Sequence, residues 1–242
     1  IIGDIHQICL NFLQEYFPEK YQHYSVIDEG QQANFIFQKR SNLNSIDESN
    51  ITKQAIWTWA RDSQEVFNKI TDRKIEITDS VKNNMSDKLR EVSDSYPIYL
   101  ALLHRESLFD FATIQSTFLK ELKSNNDVLK KIQDKYSYFF IDEFQDVNNL
   151  QYEIFKLLSN RSQKITVVGD DDQSIYGFRG ANLNNFLNFR NDFSSASLIE
   201  EQLNVSYRST FNLVDFFNQI KPSNLIDNYQ KEDLTSHNDE NG

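Results

Sequence analysis

The sequence predicts an α/β protein in which a parallel sheet follows a long helical segment. Two apolar runs, residues 138–141 and 164–168, each end in acidic residues, as buried parallel strands do beside a ligand site. Between the two runs, apolar residues recur at helical spacing over residues 150–158. Strand, helix and strand in this order indicate a right-handed parallel crossover, so both acidic strand ends should lie at the same edge of one sheet.

The first 134 residues are predicted to be almost entirely helical. Ile5, Phe12 and Leu13 belong to an apolar stripe at helical spacing, and Trp57, Trp59 and Phe67 supply a large apolar surface further on. Pro97 is expected to mark a boundary between two helices, because proline interrupts the helical hydrogen bonds. The predicted helices span residues 5–16, 28–41, 52–70, 79–94, 98–106, 109–123 and 126–134.

The last third of the chain is predicted to alternate between helix and strand and then to lose its order. A third strand is expected over residues 196–203, and a helix over residues 210–217. Residues 222–242 are strongly polar. We therefore expect them to be disordered, or to belong to a helix or strand that is truncated at the end of the sequence.

Composition indicates a globular chain and excludes several other classes. With 242 residues, of which 39% are hydrophobic and 25% charged, the chain is long enough to bury one or two cores. Its single cysteine excludes an internal disulfide, and no apolar stretch is long enough to span a membrane. The net charge of −11 argues against a general nucleic-acid binder, although a local basic path would be enough to bind nucleic acid at one place.

The acidic strand ends carry the residue types that nucleotide chemistry requires. Asp142 and Glu143 follow the first strand directly, and paired carboxylates suit a metal ion and an activated water. A solvated acidic turn is an equally good interpretation of these two residues alone. Gln173 follows the second strand closely, and it is followed in turn by Tyr176, Phe178 and Arg179. An amide, two aromatic rings and a guanidinium suit a phosphate site that is coupled to a stacked base.

Several segments resemble the motifs of one known family in order and spacing. The segment IDEFQDVNN at 141–149 resembles the Walker B segment of superfamily 1 DNA helicases of the UvrD/Rep type. GDDDQSIYGFRGA at 169–181 resembles motif III of these helicases, and LNVSYRST at 203–210 resembles motif IV. GDIHQ at 3–7 resembles their Thr-Phe-His-Ser motif more weakly, and LFDF at 108–111 matches a segment common upstream of Walker B.

This resemblance implies a partial RecA-like parallel sheet of the P-loop NTPase class, with a large helical subdomain. Residues 1–19 would then be a segment of motor domain 1A, and residues 20–108 a helical 1B-like subdomain. Residues 109–221 would be the RecA-like part of domain 1A with Walker B and motifs III and IV, and residues 222–242 the polar tail.

The resemblance also implies the roles of the site residues. Asp142 would hold Mg²⁺, and Glu143 would orient or deprotonate the attacking water. Gln173 would contact the γ-phosphate of ATP, and Arg208 would stabilise charge on the transferring phosphoryl group. These roles agree with the physics of phosphoryl transfer, in which positioning and electrostatics carry the catalysis.

On the same grounds, Tyr176, Phe178 and Arg179 would face single-stranded DNA, and His6 would lie near the DNA path. Phe178 stands where the family usually has Trp, and Ser206 where motif IV usually has Asn. Taken outside the motifs, the two aromatic residues would be ordinary core residues. His6 alone would be an N-terminal helix residue.

The chain lacks the phosphate cradle that nucleotide hydrolysis needs. None of its six glycines is followed by lysine, so the P-loop signature is absent. The chain also begins with Ile1, and nothing after Thr210 resembles a second motor domain. We therefore expect an internal fragment of a larger motor, whose partners are the P-loop segment and the second motor domain.

The function implied by the resemblance is that of an ATP-dependent DNA helicase. Such an enzyme couples ATP hydrolysis to translocation on single-stranded DNA and to unwinding of duplex DNA, with a cytoplasmic location and a role in DNA repair. Two alternatives stay open: a helicase-like motor subunit of a nuclease or repair complex, and a degenerate motor that binds DNA or protein without catalysis. A nuclease signature outside the chain would favour the first alternative. Absence of Gly-Lys-Thr from the parent gene would favour the second.

The isolated chain is expected to hydrolyse no ATP, because it lacks the backbone amides and the lysine that hold the phosphates. A phosphate-release assay with Mg²⁺ and single-stranded DNA measures this directly. Turnover by the purified chain above that of its own Glu143→Gln variant would contradict the prediction.

Overall fold

A computed structural model describes residues 2–43, 52–73, 75, 78–159, 164–173, 184–193, 198–220 and 232–238. This part of the chain is a helix-rich α/β structure with short parallel strands. The helices are α1 (Ile5–Tyr16), α2 (Pro18–Tyr21), α3 (Glu29–Leu43), α4 (Lys53–Asp72), α5 (Asp79–Asn83), α6 (Asp87–Arg105), α7 (Phe111–Ser124), α8 (Asn126–Lys135), α9 (Asn149–Leu158), α10 (Asn184–Phe193) and α11 (Phe211–Ile220).

The strands of the described residues form three separate parallel pairs rather than one sheet. Each pair joins strands that are distant in the chain, as parallel pairing requires. The strands are β1 (Ser25–Val26) with β2 (Leu108–Phe109), β3 (Tyr138–Ile141) with β4 (Lys164–Val167), and β5 (Val205–Thr210) with β6 (Thr235–Asn238).

The first hydrophobic core joins α1 to α7, α8 and α9. Leu13 of α1, Phe118 of α7 and Ile154 of α9 are fully buried within it. Helix α1 has the predicted bounds, because Asp4 caps its first turn by accepting a hydrogen bond from the Gln7 N–H at 2.8 Å. This core holds the helix that precedes β3 against the helix that follows it.

The second hydrophobic core lies among α3, α4 and α6. Its members lie between Phe35 and Leu103 in the chain, and Phe67 and Tyr99 stack at its centre with ring centroids 4.6 Å apart. The division of the chain into domains stays a prediction.

The expected helix boundary at Pro97 is wrong, because α6 continues through Pro97 to Arg105. Val92 before the proline and Tyr99 and Leu102 after it are buried in the second core, and this burial outweighs one lost helical hydrogen bond. The break comes earlier, between α5 and α6. There Ser86 caps the new helix by accepting a hydrogen bond from the Leu89 N–H at 3.4 Å.

One expectation for the C-terminal part is also wrong, and another is wrong for residues 235–238. Residues 198–203 are not in a strand; the strand begins at Val205, where pairing with β6 begins. Residues 235–238 of the polar tail form β6 instead of being disordered. They are held by backbone pairing and by hydrogen bonds such as Thr235 N–H to Asn204 O at 2.7 Å. Backbone pairing does not depend on apolar side chains, so polarity alone does not exclude a strand.

A buried polar cluster connects the two cores. Asp110 is 1% exposed and caps α7, because its Oδ1 accepts the Thr113 N–H at 2.7 Å. Its Oδ2 accepts hydrogen bonds from Gln32 Nε2 at 3.0 Å and from the Tyr99 hydroxyl at 2.5 Å. Burial raises the pKa of Asp110 despite these bonds. One carboxyl group therefore ties α3 and α6 of the second core to the start of α7.

Asp72 should make the stability of the chain depend on pH. Burial, with a smaller contribution from the charge of Asp110, raises the pKa of Asp72 to about 6. An unfolded Asp titrates near pH ~3.9, so the folded state binds the proton more tightly. The resulting stabilisation is complete below about pH 4 and is lost as the pH rises through about 6.

We expect Asp72→Asn to raise the free energy of unfolding at neutral pH by up to about 3 kcal/mol, and to change it much less below about pH 4. Urea unfolding of both proteins at the two pH values measures this difference. Asp134→Asn is the matched control, because Asp134 is an exposed acid near the end of its own helix. An equal effect of Asp72→Asn at both pH values would contradict the prediction.

Candidate nucleotide site

The ends of β3 and β4 lie side by side and form the frame of the candidate site. The strands pair in parallel from Tyr138 opposite Lys164 to Ile141 opposite Val167. Two backbone hydrogen bonds extend the pairing past the strand ends: Val168 N–H to Ile141 O at 2.9 Å, and Phe144 N–H to Val168 O at 2.8 Å. The acidic segments after both strands therefore share one edge, as the sequence predicts.

Asp142 and Glu143 form a tight turn directly after β3. Glu143 has the left-handed conformation, with φ 51° and ψ 44°, which costs a residue with a side chain about 1–2 kcal/mol. The Asp142 Oδ1 accepts the Glu143 N–H at 2.9 Å and so stabilises the turn. Both side chains are exposed. The strained backbone places two carboxylates in solvent at the end of β3, a strand with exposed and half-buried residues rather than the buried strand that the sequence predicts.

The turn is anchored by residues that follow it. Phe144 is 1% exposed and packs against Phe189 of α10, with ring centroids 5.6 Å apart. The Asn185 side chain donates a hydrogen bond to the Val147 carbonyl at 2.6 Å. Asn148 then starts α9 with a capping box, in which its side chain accepts the Gln151 N–H at 2.9 Å. These contacts fix the backbone on the far side of the two acids.

A chain of hydrogen bonds links Glu143 to Gln173. The Gln145 Nε2 donates to the Glu143 Oε2 at 2.6 Å, and the Gln145 Oε1 accepts the Asp170 N–H at 3.0 Å. The Asp170 Oδ2 in turn accepts a hydrogen bond from the Gln173 Nε2 at 2.9 Å. The structure thus connects two predicted site residues through Gln145 and Asp170, which the sequence reasoning did not assign to the site. No spacing pattern in the sequence identifies Gln145 as a site residue, because its partner Asp170 lies after the other strand, β4.

Asp146 adds a further acid to the same turn. Burial, together with the negative charge of Glu143, raises its pKa. Within the described part of the chain, its Oδ1 is buried and has no hydrogen-bond partner. The negative charge near Glu143 is therefore incompletely compensated by the described residues, which favours a cation at this edge.

Arg208 is not joined to the other three predicted catalytic residues. It lies exposed on β5, which packs against β6 and α11. Among the described residues, no hydrogen bond or ion pair connects Arg208 to Asp142, Glu143 or Gln173. Its role at the nucleotide stays a prediction.

The residues predicted to bind DNA divide into two groups. Tyr176, Phe178 and Arg179 lie outside the described residues. His6 is described: it stacks on Phe111 with ring centroids 4.1 Å apart, and its Nδ1 lies 3.6 Å from the Asp4 Oδ1. Burial lowers the pKa of His6. These contacts pack His6 against the start of α7, and its role near DNA stays a prediction.

The residues present fit a magnesium ion that is held mainly by a nucleotide. In the described segments, no group of three or more His, Cys, Asp or Glu side chains is arranged to hold a metal. Protein Mg²⁺ sites of the nucleotide type use one or two carboxylates, with phosphates and waters as the other ligands. Asp142 is an exposed carboxylate at a strand end and suits this mode of binding.

Comparison with known proteins shows the family to which the chain belongs. The model of the UvrD/REP helicase N-terminal domain matches residues 1–194. The chain belongs to the UvrD/REP helicase family. Among its relatives, DNA helicase II from Haemophilus influenzae is 30% identical over 92% of this chain and 29% of its own length. The ATP-dependent DNA helicase PcrA from Bacillus subtilis is 35% identical over 74% of this chain and 24% of its own length. PcrA from Leuconostoc citreum is 43% identical over 53% of this chain and 17% of its own length.

The chain is thus a partial UvrD-type helicase sequence, since these matches cover only 17–29% of the lengths of the three relatives. The residues that match the UvrD/REP family include the candidate site from Asp142 to Gln173. No helix in the described ranges is both long enough and apolar enough to cross a membrane.

Proposed function

We propose that this chain is part of the first motor domain of an ATP-dependent DNA helicase, which moves along single-stranded DNA and unwinds duplexes. The observation that carries the proposal is the linked pair Glu143 and Gln173. Each follows one of two paired parallel strands, and Gln145 and Asp170 join their side chains. Ligand sites of α/β sheets lie at such strand ends. The naming of the relatives as ATP-dependent DNA helicases supports the same activity.

The four predicted catalytic residues divide the chemistry among them. Glu143 accepts the proton of the attacking water or orients that water, and its exposed carboxylate at a strained turn suits the role. Gln173 contacts the γ-phosphate, and Arg208 stabilises negative charge on the phosphoryl group. Asp142 holds Mg²⁺, which when bound neutralises charge on the phosphates of ATP. The high density of acids at this edge makes a bound cation favourable.

The proposed helicase needs elements beyond this chain to bind ATP. We propose that a P-loop segment and a second motor domain complete it, and that β3 and β4 belong to a larger RecA-like sheet. The uncovered face of β3 supports this proposal, because Tyr138 is 57% and Phe140 76% exposed on the same side. Apolar strand faces of this kind are normally covered by further structure.

We propose that single-stranded DNA lies against Tyr176, Phe178 and Arg179, with His6 near its path. Aromatic rings stack on bases without regard to sequence, which suits a motor that moves along any strand. These residues follow Gln173 closely in the chain. A short segment of the chain therefore connects the residue that contacts the γ-phosphate to the residues that contact DNA.

Glu143→Gln in the complete helicase should lower kcat for ATP by about 10²–10⁴-fold, because an amide cannot accept the proton of water. Binding of ATP should persist, because the amide keeps the size of the side chain and Asp142 still holds Mg²⁺. Steady-state ATPase assays and equilibrium nucleotide binding measure the two effects. Glu91→Gln, at an exposed acid of α6, is the control that should keep normal turnover. Near-normal turnover of Glu143→Gln would refute the assigned role.

Phe178→Ala in the complete helicase should weaken single-stranded DNA binding by about 5- to 150-fold, the equivalent of about 1–3 kcal/mol of lost stacking. DNA-stimulated ATPase should fall more than basal ATPase, because the nucleotide residues are unchanged. Phe178→Trp should keep both activities. Equal loss of basal and stimulated activity would indicate a folding defect and contradict the stacking role.

A further inference from the structure

Gln145 lies between the two halves of the nucleotide site and is almost completely buried. Its side chain is 2% exposed, whereas Glu143 beside it is exposed. Both ends of its amide are used: Nε2 donates to the Glu143 Oε2 at 2.6 Å, and Oε1 accepts the Asp170 N–H at 3.0 Å. A buried amide that makes a hydrogen bond at each end can adopt only one orientation. The carboxylate of Glu143, which accepts one of these bonds, is therefore held in place.

The chemistry of the partners fixes which way the amide points. A carboxylate only accepts hydrogen bonds, so Glu143 must face the NH₂ group of Gln145. The backbone N–H of Asp170 only donates, so it must face the amide oxygen. Glutamine satisfies both partners and carries no charge at any pH. A glutamate would set a second carboxylate against Glu143.

Asp170 extends the connection to the second strand end. Its Oδ1 accepts the Asp172 N–H at 3.1 Å, and its Oδ2 accepts the Gln173 Nε2 at 2.9 Å. The Asp170 carbonyl also accepts the Gln173 N–H at 3.0 Å. Asp170 thus shapes the turn that carries Gln173, and Gln145 holds the backbone of Asp170. If a phosphate displaced Gln173, the displacement would therefore be transmitted to Glu143 through the hydrogen bonds of Asp170 and Gln145.

We propose that Gln145 is a positioning residue that couples the direction of the Glu143 carboxylate to the turn that carries Gln173. The inference rests on the proposed function, in which Glu143 acts on the attacking water and Gln173 contacts the γ-phosphate. Gln145 itself touches neither water nor nucleotide in this mechanism. Its hydrogen bond occupies the Oε2 of Glu143, whose side chain is exposed.

The test uses two variants of the complete helicase. Gln145→Met keeps the length and burial of the side chain and removes both hydrogen bonds. Misplacement of a catalytic group by about 1 Å can cost about 100-fold in rate, so we expect kcat to fall by about 10- to 100-fold here. The KM for ATP and the Kd for single-stranded DNA should stay within about threefold of wild type, because no binding group is changed.

Gln145→Glu separates positioning from a merely structural role. When protonated, the introduced carboxyl group would donate to Glu143 and accept from Asp170, as the glutamine does; when ionised, it would repel Glu143. Burial beside Glu143 should raise the pKa of the introduced carboxyl group, so the kcat of this variant relative to Gln145→Met should rise as the pH falls from about 8.5 to about 6. The control is Gln133→Met, because Gln133 is a buried glutamine of α8 that donates to the Leu157 carbonyl at 2.8 Å, away from the site. It should lower thermal stability without changing kcat.

Three outcomes are distinguished. A fall in kcat for Gln145→Met, with recovery of Gln145→Glu at low pH, supports the inference. A normal kcat for Gln145→Met, or parallel pH profiles of the two variants, overturns it while Glu143→Gln still abolishes turnover. If Gln145→Met does not fold, kcat of Gln145→Glu is compared with kcat of the wild-type helicase over the same pH range. Parallel pH profiles of these two proteins would overturn the inference. Failure of the proposed function is recognised separately, because Glu143→Gln would then leave turnover unchanged.

Discussion

The parallel pairing of β3 and β4 is the constraint on which the candidate site depends. The hydrogen bonds from Val168 N–H to Ile141 O and from Phe144 N–H to Val168 O continue the pairing past the last paired residues. They bring the acidic turn after one strand within reach of the acidic turn after the other. Burial of Phe144 and the capped start of α9 then keep the first turn in its strained conformation. The position of Glu143 is thus a consequence of packing around it rather than of its own side chain.

Electrostatics shapes the same edge. Asp142, Glu143, Asp146 and Asp170 lie in the two turns that follow β3 and β4, in a chain whose net charge is −11. Such a concentration of carboxylates is unfavourable unless neutral donors or cations offset it. Backbone N–H groups and the amides of Gln145 and Gln173 provide the neutral donors in the structure. A metal-bound nucleotide would provide the cation, which agrees with membership of the UvrD/REP family.

The helical part shows where local patterns are sufficient and where they fail. Helix α1 has its predicted bounds, since an apolar stripe and the cap at Asp4 act over a few neighbouring residues. Pro97 is a strong local signal for a boundary, yet the burial of Tyr99 and Leu102 in a distant core overrides it. The strand expected before Leu203 forms further along, because strand position is decided by the pairing partner β6. Polarity alone does not indicate that partner.

The sequence by itself determined the helical character of the first part, the strand–helix–strand order and the two acidic strand ends, because each depends on residues close in the chain. It also determined that Glu143 and Gln173 share an edge, because parallel strands end on the same side. Only the tertiary structure decided which polar groups meet. Gln145 bonds to Asp170, 25 residues away, and Asp110 to Gln32, 78 residues away. Side chains so far apart in the chain are brought together by the packing of whole elements, and the directions of their hydrogen bonds follow from that packing rather than from any local pattern.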